Sequence, residues 1–161
     1  GAFLADMLGG AIPPLLFPAL VFVVAAIVSF ATGTSYGTMA ILIPTAVPVA
    51  LELDGGYGLI TMISIGAALD GAIFGDHCSP ISDTTVLSSI ASSCDHIAHV
   101  KTQIPYAVTT MTAAAICGYL GTTLLYPPYI GTLLGIAALT VLLLLLGRPI
   151  ETRRKGDAEK R

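Results

Sequence analysis

Two long blocks of this chain carry no charge: residues 7–51 and 102–147 contain no Asp, Glu, Lys or Arg. A helix needs only about 20 apolar residues to cross the hydrocarbon core of a bilayer, so each block has room for two membrane segments. In the first block an apolar run over 11–31 is long enough to cross, with an irregular beginning at Pro13, Pro14 and Pro18. It ends in Thr32-Gly33-Thr34-Ser35-Tyr36-Gly37, a hydroxyl and glycine cluster that signals a turn. The run that follows, 38–51, holds about 14 residues and spans roughly 21 Å as a helix. That length is short of the hydrocarbon core and predicts a half-helix, bent further by Pro44 and Pro48. Whether 11–51 forms a re-entrant hairpin or crosses stays open by counting.

Beyond the polar loop Glu52-Leu53-Asp54-Gly55-Gly56, a second apolar run covers 57–74 and breaks at Gly75. Ser82 or Asp83 can cap a new helix over 83–93, and Ser79-Pro80 offers an alternative start with proline at the first helical position. The piece 95–101 reads as a surface loop or amphipathic turn. Two simpler helices, 104–126 and 129–146, follow on either side of Pro127-Pro128. The pattern therefore predicts an all-α membrane protein, a polytopic helical bundle with discontinuous helices over 1–147, followed by a basic tail over 148–161.

Composition supports the bilayer as solvent: 55% of residues are hydrophobic and 11% charged, against about 25% charged in a soluble domain. Six of the seven basic residues (Arg148, Arg153, Arg154, Lys155, Lys160, Arg161) lie in the tail, which the positive-inside rule places in the cytoplasm. Nothing suggests nucleic-acid binding. Cys78, Cys94 and Cys117 form no CxxC pair, and their apolar surroundings suit free thiols. The chain starts at Gly1 with neither methionine nor a basic leader, which reads as the back part of a longer protein rather than a signal peptide.

The segment 70–83, Asp-Gly-Ala-Ile-Phe-Gly-Asp-His-Cys-Ser-Pro-Ile-Ser-Asp, places Asp70, Asp76 and Asp83 around a helix break. Ionisable groups at bilayer depth cost about 2.5–3.5 kcal/mol each on insertion scales and normally face a cavity or a partner. Broken helices are tolerated there only where the freed backbone is buried in protein or lines a cavity. Transporters use such breaks to aim helix termini at ions near the midplane. Asp76, beside the break, is the favoured carboxylate for cation and proton. Asp83 doubles as a helix cap, and Asp70, about two turns before the break, can face the same cavity. His77 either shares a proton relay or donates to a neighbouring carboxylate. Thr32, Thr34 and Ser35 at the first break, with Ser79, Ser82, Thr84 and Thr85 at the second, supply hard neutral oxygens suited to a small cation; hydroxyls of this kind also cap helices or bond back to helix carbonyls. A sodium site built on Asp76, Asp83 and Thr84 is the specific expectation. His96 and His99, with Cys94 and Asp95, fit no zinc spacing and read as a wet loop.

The string Gly75-Asp76-His77-Cys78-Ser79-Pro80-Ile81-Ser82-Asp83-Thr84-Thr85, preceded by Thr32-Gly33-Thr34-Ser35-Tyr36-Gly37-Thr38, resembles the C-terminal half of the NhaC-type sodium/proton antiporter family. Tyr36 departs from it, standing where tryptophan is usual. The resemblance implies a multi-pass inner-membrane protein built from inverted repeats that exchanges Na⁺ for H⁺, with no resident cofactor and with relatives that couple exchange to malate and lactate. It also implies a partner N-terminal half, since the site lies between repeats, and leaves a homo-oligomer open. Two other readings remain: a sodium-linked organic acid exchanger of the same family, and an intramembrane metalloenzyme using Asp76, His77, Cys78 and Asp83.

Overall fold

The computed structural model describes residues 13–146, and among these every element is helical. The basic tail expected over 148–161 lies outside the described residues. A 3-10 turn at Pro14–Leu16 leads into α1, Phe17–Thr32, where Pro18 occupies the first turn and loses no helical hydrogen bond. Gly33 closes α1 in the left-handed region, φ 69°, with its N–H on the Ser29 carbonyl at 2.8 Å. Thr34 then caps α2, Ser35–Asp54, by accepting from the Gly37 N–H. Gly55 ends α2, and the Asp54 carboxylate caps the next helix, accepting from the Thr61 N–H at 2.8 Å. That helix is α3, Leu59–Cys78; the short α4 covers Asp83–Ala91. Asp95 caps α5, His96–Ala113, which runs on through a π-helical stretch at Ala114–Leu120 into α6, Gly121–Leu124. After the Pro127 turn, α7 covers Pro128–Leu146.

Three sequence expectations change here. The half-helix over 38–51 is part of a 20-residue helix that continues unbroken through Pro44 and Pro48. Each proline forfeits its own N–H and one carbonyl partner, while firm caps at Thr34 and Gly55 hold both ends. The break expected at Gly75 falls at 79–82 instead, because α3 continues to Cys78. Finally, the loop expected over 95–101 is already the start of α5. Among the described residues, five helices are long and apolar enough to cross a membrane: Pro14–Thr32, Ser35–Asp54, Leu59–Cys78, His96–Leu124 and Pro128–Leu145.

α1 and α2 form an antiparallel hairpin, Phe17 and Val49 meeting at its open end and Val24 and Leu42 nearer the turn. α1 lies parallel to α3 along a seam of small residues: Ala25, Ala26 and Ser29 face Ala72, Gly71 and Gly75, with the Ser29 hydroxyl donating to the Ala72 carbonyl at 2.5 Å. Lipid exerts no hydrophobic push between helices, so close backbone approach and buried hydrogen bonds supply the cohesion. The approach is close enough that a Cβ at Gly71 would collide with the Phe22 carbonyl oxygen. At the other end of the seam Phe17, Val21 and Phe22 pack with Val49, Ala50, Ala67, Ala68 and Tyr119. The Phe22 and Tyr119 ring centroids lie 4.7 Å apart. Outward faces carry large apolar side chains, among them Ile27, Leu87, Leu133 and Leu144.

Candidate functional site

Asp76 sits in the last turn of α3 and is 5% exposed. What surrounds it follows from how α3 stops. Proline at 80 drives the preceding Ser79 into the extended region, φ −70° and ψ 128°. The Ser79 hydroxyl then donates to the Phe30 carbonyl at 2.8 Å and ties the break to the end of α1. Ile81 crosses over Gly33, where a Cβ would meet the Ile81 side chain at 2.9 Å. Glycine is thus required at 33 both by its positive φ and by this crossing.

These constraints bring the α1–α2 turn and the α3–α4 break together around one carboxylate. Ser82, at the N-cap position of α4, donates to Asp76 Oδ1 at 2.7 Å. Thr84 donates to Oδ2 at 3.2 Å, and Ser35, the first residue of α2, lies 3.4 Å from the same oxygen. Ser82 and Thr84 also lie 2.7 Å from each other. The N-termini of two helices therefore face Asp76, and their positive dipole ends favour negative charge there. Every recorded side-chain partner of the carboxylate among the described residues is a hydroxyl, and Lys101 is the one Lys or Arg in 13–146.

The other sequence candidates take separate places. Asp83 is exposed at the start of α4, accepting from the Thr84 N–H, and does not join Asp76. Asp70 lies on a different face of α3 and accepts from the Tyr119 hydroxyl at 2.6 Å. His77 is exposed, with Nδ1 donating to the Ile73 carbonyl. Both line a cavity of about 410 Å³ with Gln103 and Thr110, and Asp76 does not line it. Thr32 bonds back to the Val28 carbonyl and approaches Thr38, Thr34 is a cap, and Ser79 holds Phe30. Thr85 is buried with its hydroxyl unpartnered. Of the three residues expected to hold sodium, Asp76 and Thr84 therefore lie together with Ser35 and Ser82, whereas Asp83 stands apart.

Among the described residues no three His, Cys, Asp or Glu side chains converge as metal ligands, so neither the metalloenzyme set nor the cluster near His96 assembles. Residues 32–38 and 75–85, which carried the family resemblance, are the ones that converge here. The Na⁺/H⁺ antiporter family matches residues 1–122. The chain belongs to that family.

Relatives of this antiporter-family chain include an uncharacterised protein of Haemophilus influenzae, 41% identical over 91% of this chain and 27% of its own length. A malate-2H⁺/Na⁺-lactate antiporter of Bacillus subtilis is 35% identical over 67% of the chain and 25% of its own length. The Na⁺/H⁺ antiporter NhaC of Alkalihalophilus pseudofirmus is 30% identical over 65% and 25%. The chain spans about a quarter of the length of these curated relatives. No solved structure matches it significantly. Named relatives are antiporters rather than enzymes, and with five helices able to span, this antiporter-family chain is a multi-pass membrane protein.

Two pairings were not foreseen in the sequence, one on the other face of α3 and one at the break, where His96 had read as part of a wet loop. Tyr119 holds Asp70, and His96 reaches back to the break, with Nε2 on the Pro80 carbonyl at 2.7 Å and Nδ1 3.2 Å from the Ser89 hydroxyl. Neither pairing carries a spacing signal, since the partners are 49 and 16 residues apart.

Proposed function

We propose that this chain is the C-terminal half of a secondary transporter that exchanges Na⁺ for H⁺ across the cell membrane, with Asp76 as the group the two ions share. The observation that carries the reading is the buried Asp76 carboxylate with three hydroxyl partners, from Ser35, Ser82 and Thr84. Each hydroxyl oxygen both donates and accepts. The hydroxyl hydrogens can point at the carboxylate; when they turn away, the same oxygens and Asp76 form a hard-oxygen set for a small cation. One negative charge is neutralised by a sodium ion or by a proton, and the resulting competition couples the two fluxes. An N-terminal half, absent from this chain, completes the cavity, in keeping with the length of the relatives. The tail over 148–161, rich in Lys and Arg, lies in the cytoplasm.

The test is Na⁺-driven proton flux in membrane vesicles carrying the chain joined to its N-terminal half. Asp76→Asn keeps the shape and removes the charge, and exchange is expected to be abolished. Exchange at the wild-type rate in that variant overturns the site. The similarity to a malate/lactate antiporter supports a second reading, in which an organic acid moves with the cations. Lys101 is the only described Lys or Arg, so recognition of the acid would fall to the other half. Flux that requires added malate or lactate would favour that reading.

A further inference from the structure

We infer that His96 is a positioning residue for the Asp76 site, acting by holding the Pro80 carbonyl and with it the whole 79–82 break. The inference rests on reading Asp76 as the cation site. Within the break the helical ladder is interrupted, and Pro80 has no N–H of its own to anchor it. The Pro80 carbonyl can only accept, so the His96 nitrogen 2.7 Å away, Nε2, carries the hydrogen. Nδ1 then carries no hydrogen and lies 3.2 Å from the Ser89 hydroxyl, whose single hydrogen is shared between it and the Val86 carbonyl 2.7 Å away. The ring is fixed from behind as well: His96 is the first residue of α5, directly after the Asp95 cap, and it is half-buried. One imidazole therefore joins the start of α5, the last turn of α4 and the break itself.

The position of the held carbonyl gives the contact its consequence. Pro80 stands two residues before Ser82 and four before Thr84, which supply two of the three hydroxyls on Asp76. Ser79 pins the near side of the break to Phe30, and His96 pins the far side. Without the second pin the break can swivel about Ser79, and the Ser82 oxygen leaves Asp76 Oδ1. Outer partners of this kind commonly alter ion affinity by about 10–100-fold although they never touch the ion.

The experiment measures Na⁺-driven proton flux against Na⁺ concentration in vesicles carrying the chain joined to its N-terminal half, for wild type, His96→Ala, His96→Gln, His99→Ala and Asp76→Asn. His96→Ala is expected to raise the half-saturating Na⁺ about tenfold while the maximal rate stays within about twofold, as expected of an outer partner. The glutamine amide can stand where Nε2 stood, so His96→Gln should return half-saturation to within about threefold of wild type. His99→Ala, whose side chain makes no recorded hydrogen bond, should match wild type. Half-saturation does not depend on how much protein is inserted, so a folding defect alone cannot imitate this pattern. An unshifted His96→Ala, or a His96→Gln as impaired as the alanine, overturns the inference. The Asp76→Asn arm separates the two ideas: exchange surviving there overturns the site itself, whereas exchange lost there beside a normal His96→Ala overturns only the role of His96.

Discussion

Replacing Gly75 with alanine adds one methyl group at one of the two tight points of the α1–α3 seam, the other being Gly71. Built on the existing backbone, that carbon would lie 2.5 Å from the Phe30 nitrogen and 2.6 Å from Ser29 Cβ. Comfortable contact begins near 3.5 Å, and a backbone nitrogen cannot rotate out of the way. The helices must therefore part by about 1 Å at this level. The Ser79 bond to the Phe30 carbonyl, 2.8 Å long and one turn further on, then stretches past hydrogen-bonding range. Forced overpacking costs typically about 1–3 kcal/mol, and the lost hydrogen bond adds about 0.6 kcal/mol in a membrane setting. Ser35, already 3.4 Å from Asp76, moves with the α1–α2 hairpin and drops out of the site. The assay is paired: thermal unfolding in detergent and half-saturating Na⁺ in vesicles, with Gly66→Ala on the same helix as control. A methyl group at Gly66 meets nothing within 4 Å, so the control carries only the gain in helix propensity of about 1 kcal/mol. Gly75→Ala should unfold at lower temperature and bind Na⁺ more weakly, while Gly66→Ala does neither. A Gly75→Ala protein as stable and as sodium-avid as the control would refute the reasoning.

Ser82→Ala removes the shortest hydrogen bond to Asp76. On the proposed site it also takes away one of the neutral oxygens facing the cation, so half-saturating Na⁺ should rise by about tenfold or more in the same vesicle assay, at least what the loss of an outer partner costs. Asp83→Asn should leave half-saturation within about twofold of wild type, because this carboxylate is exposed and bonds only its neighbour's N–H; a loss comparable to that of Asp76→Asn would return Asp83 to the site.

Much of the architecture was legible in the chain because membrane helices advertise themselves by length and by absence of charge, as 7–51 and 102–147 do. The motif holding Asp76, Ser82 and Thr84 was also legible, since the hydroxyls and the acid stand within eight residues of one another. Glycine was misread. At position 75 it looked like a helix stop, yet its function is to let α1 approach, and proline at 80 does the stopping. Prolines 44 and 48 looked disruptive for the opposite reason: their local cost is real, but a helix capped at both ends absorbs it. Asp83 read as a helix cap with a possible second role beside the favoured Asp76, and its separation from Asp76 depends on which way α4 leaves the break, which no local pattern states. The pairs His96 with Pro80 and Tyr119 with Asp70 exist only once α5 has packed back on the earlier helices.

Ser29 on Ala72, Ser79 on Phe30 and Ile81 over Gly33 lock the two interrupted segments together along their shared edge. Parts keyed at three points do not slide past each other, so the groups around Asp76 travel as a single block. For the exchange proposed above, access to Asp76 from the two sides of the membrane would then alternate through displacement of this block against its surroundings. The hinge of the cycle belongs outside the turn at Gly33 and the break at 79–82, and a cross-link between those two segments should leave turnover running.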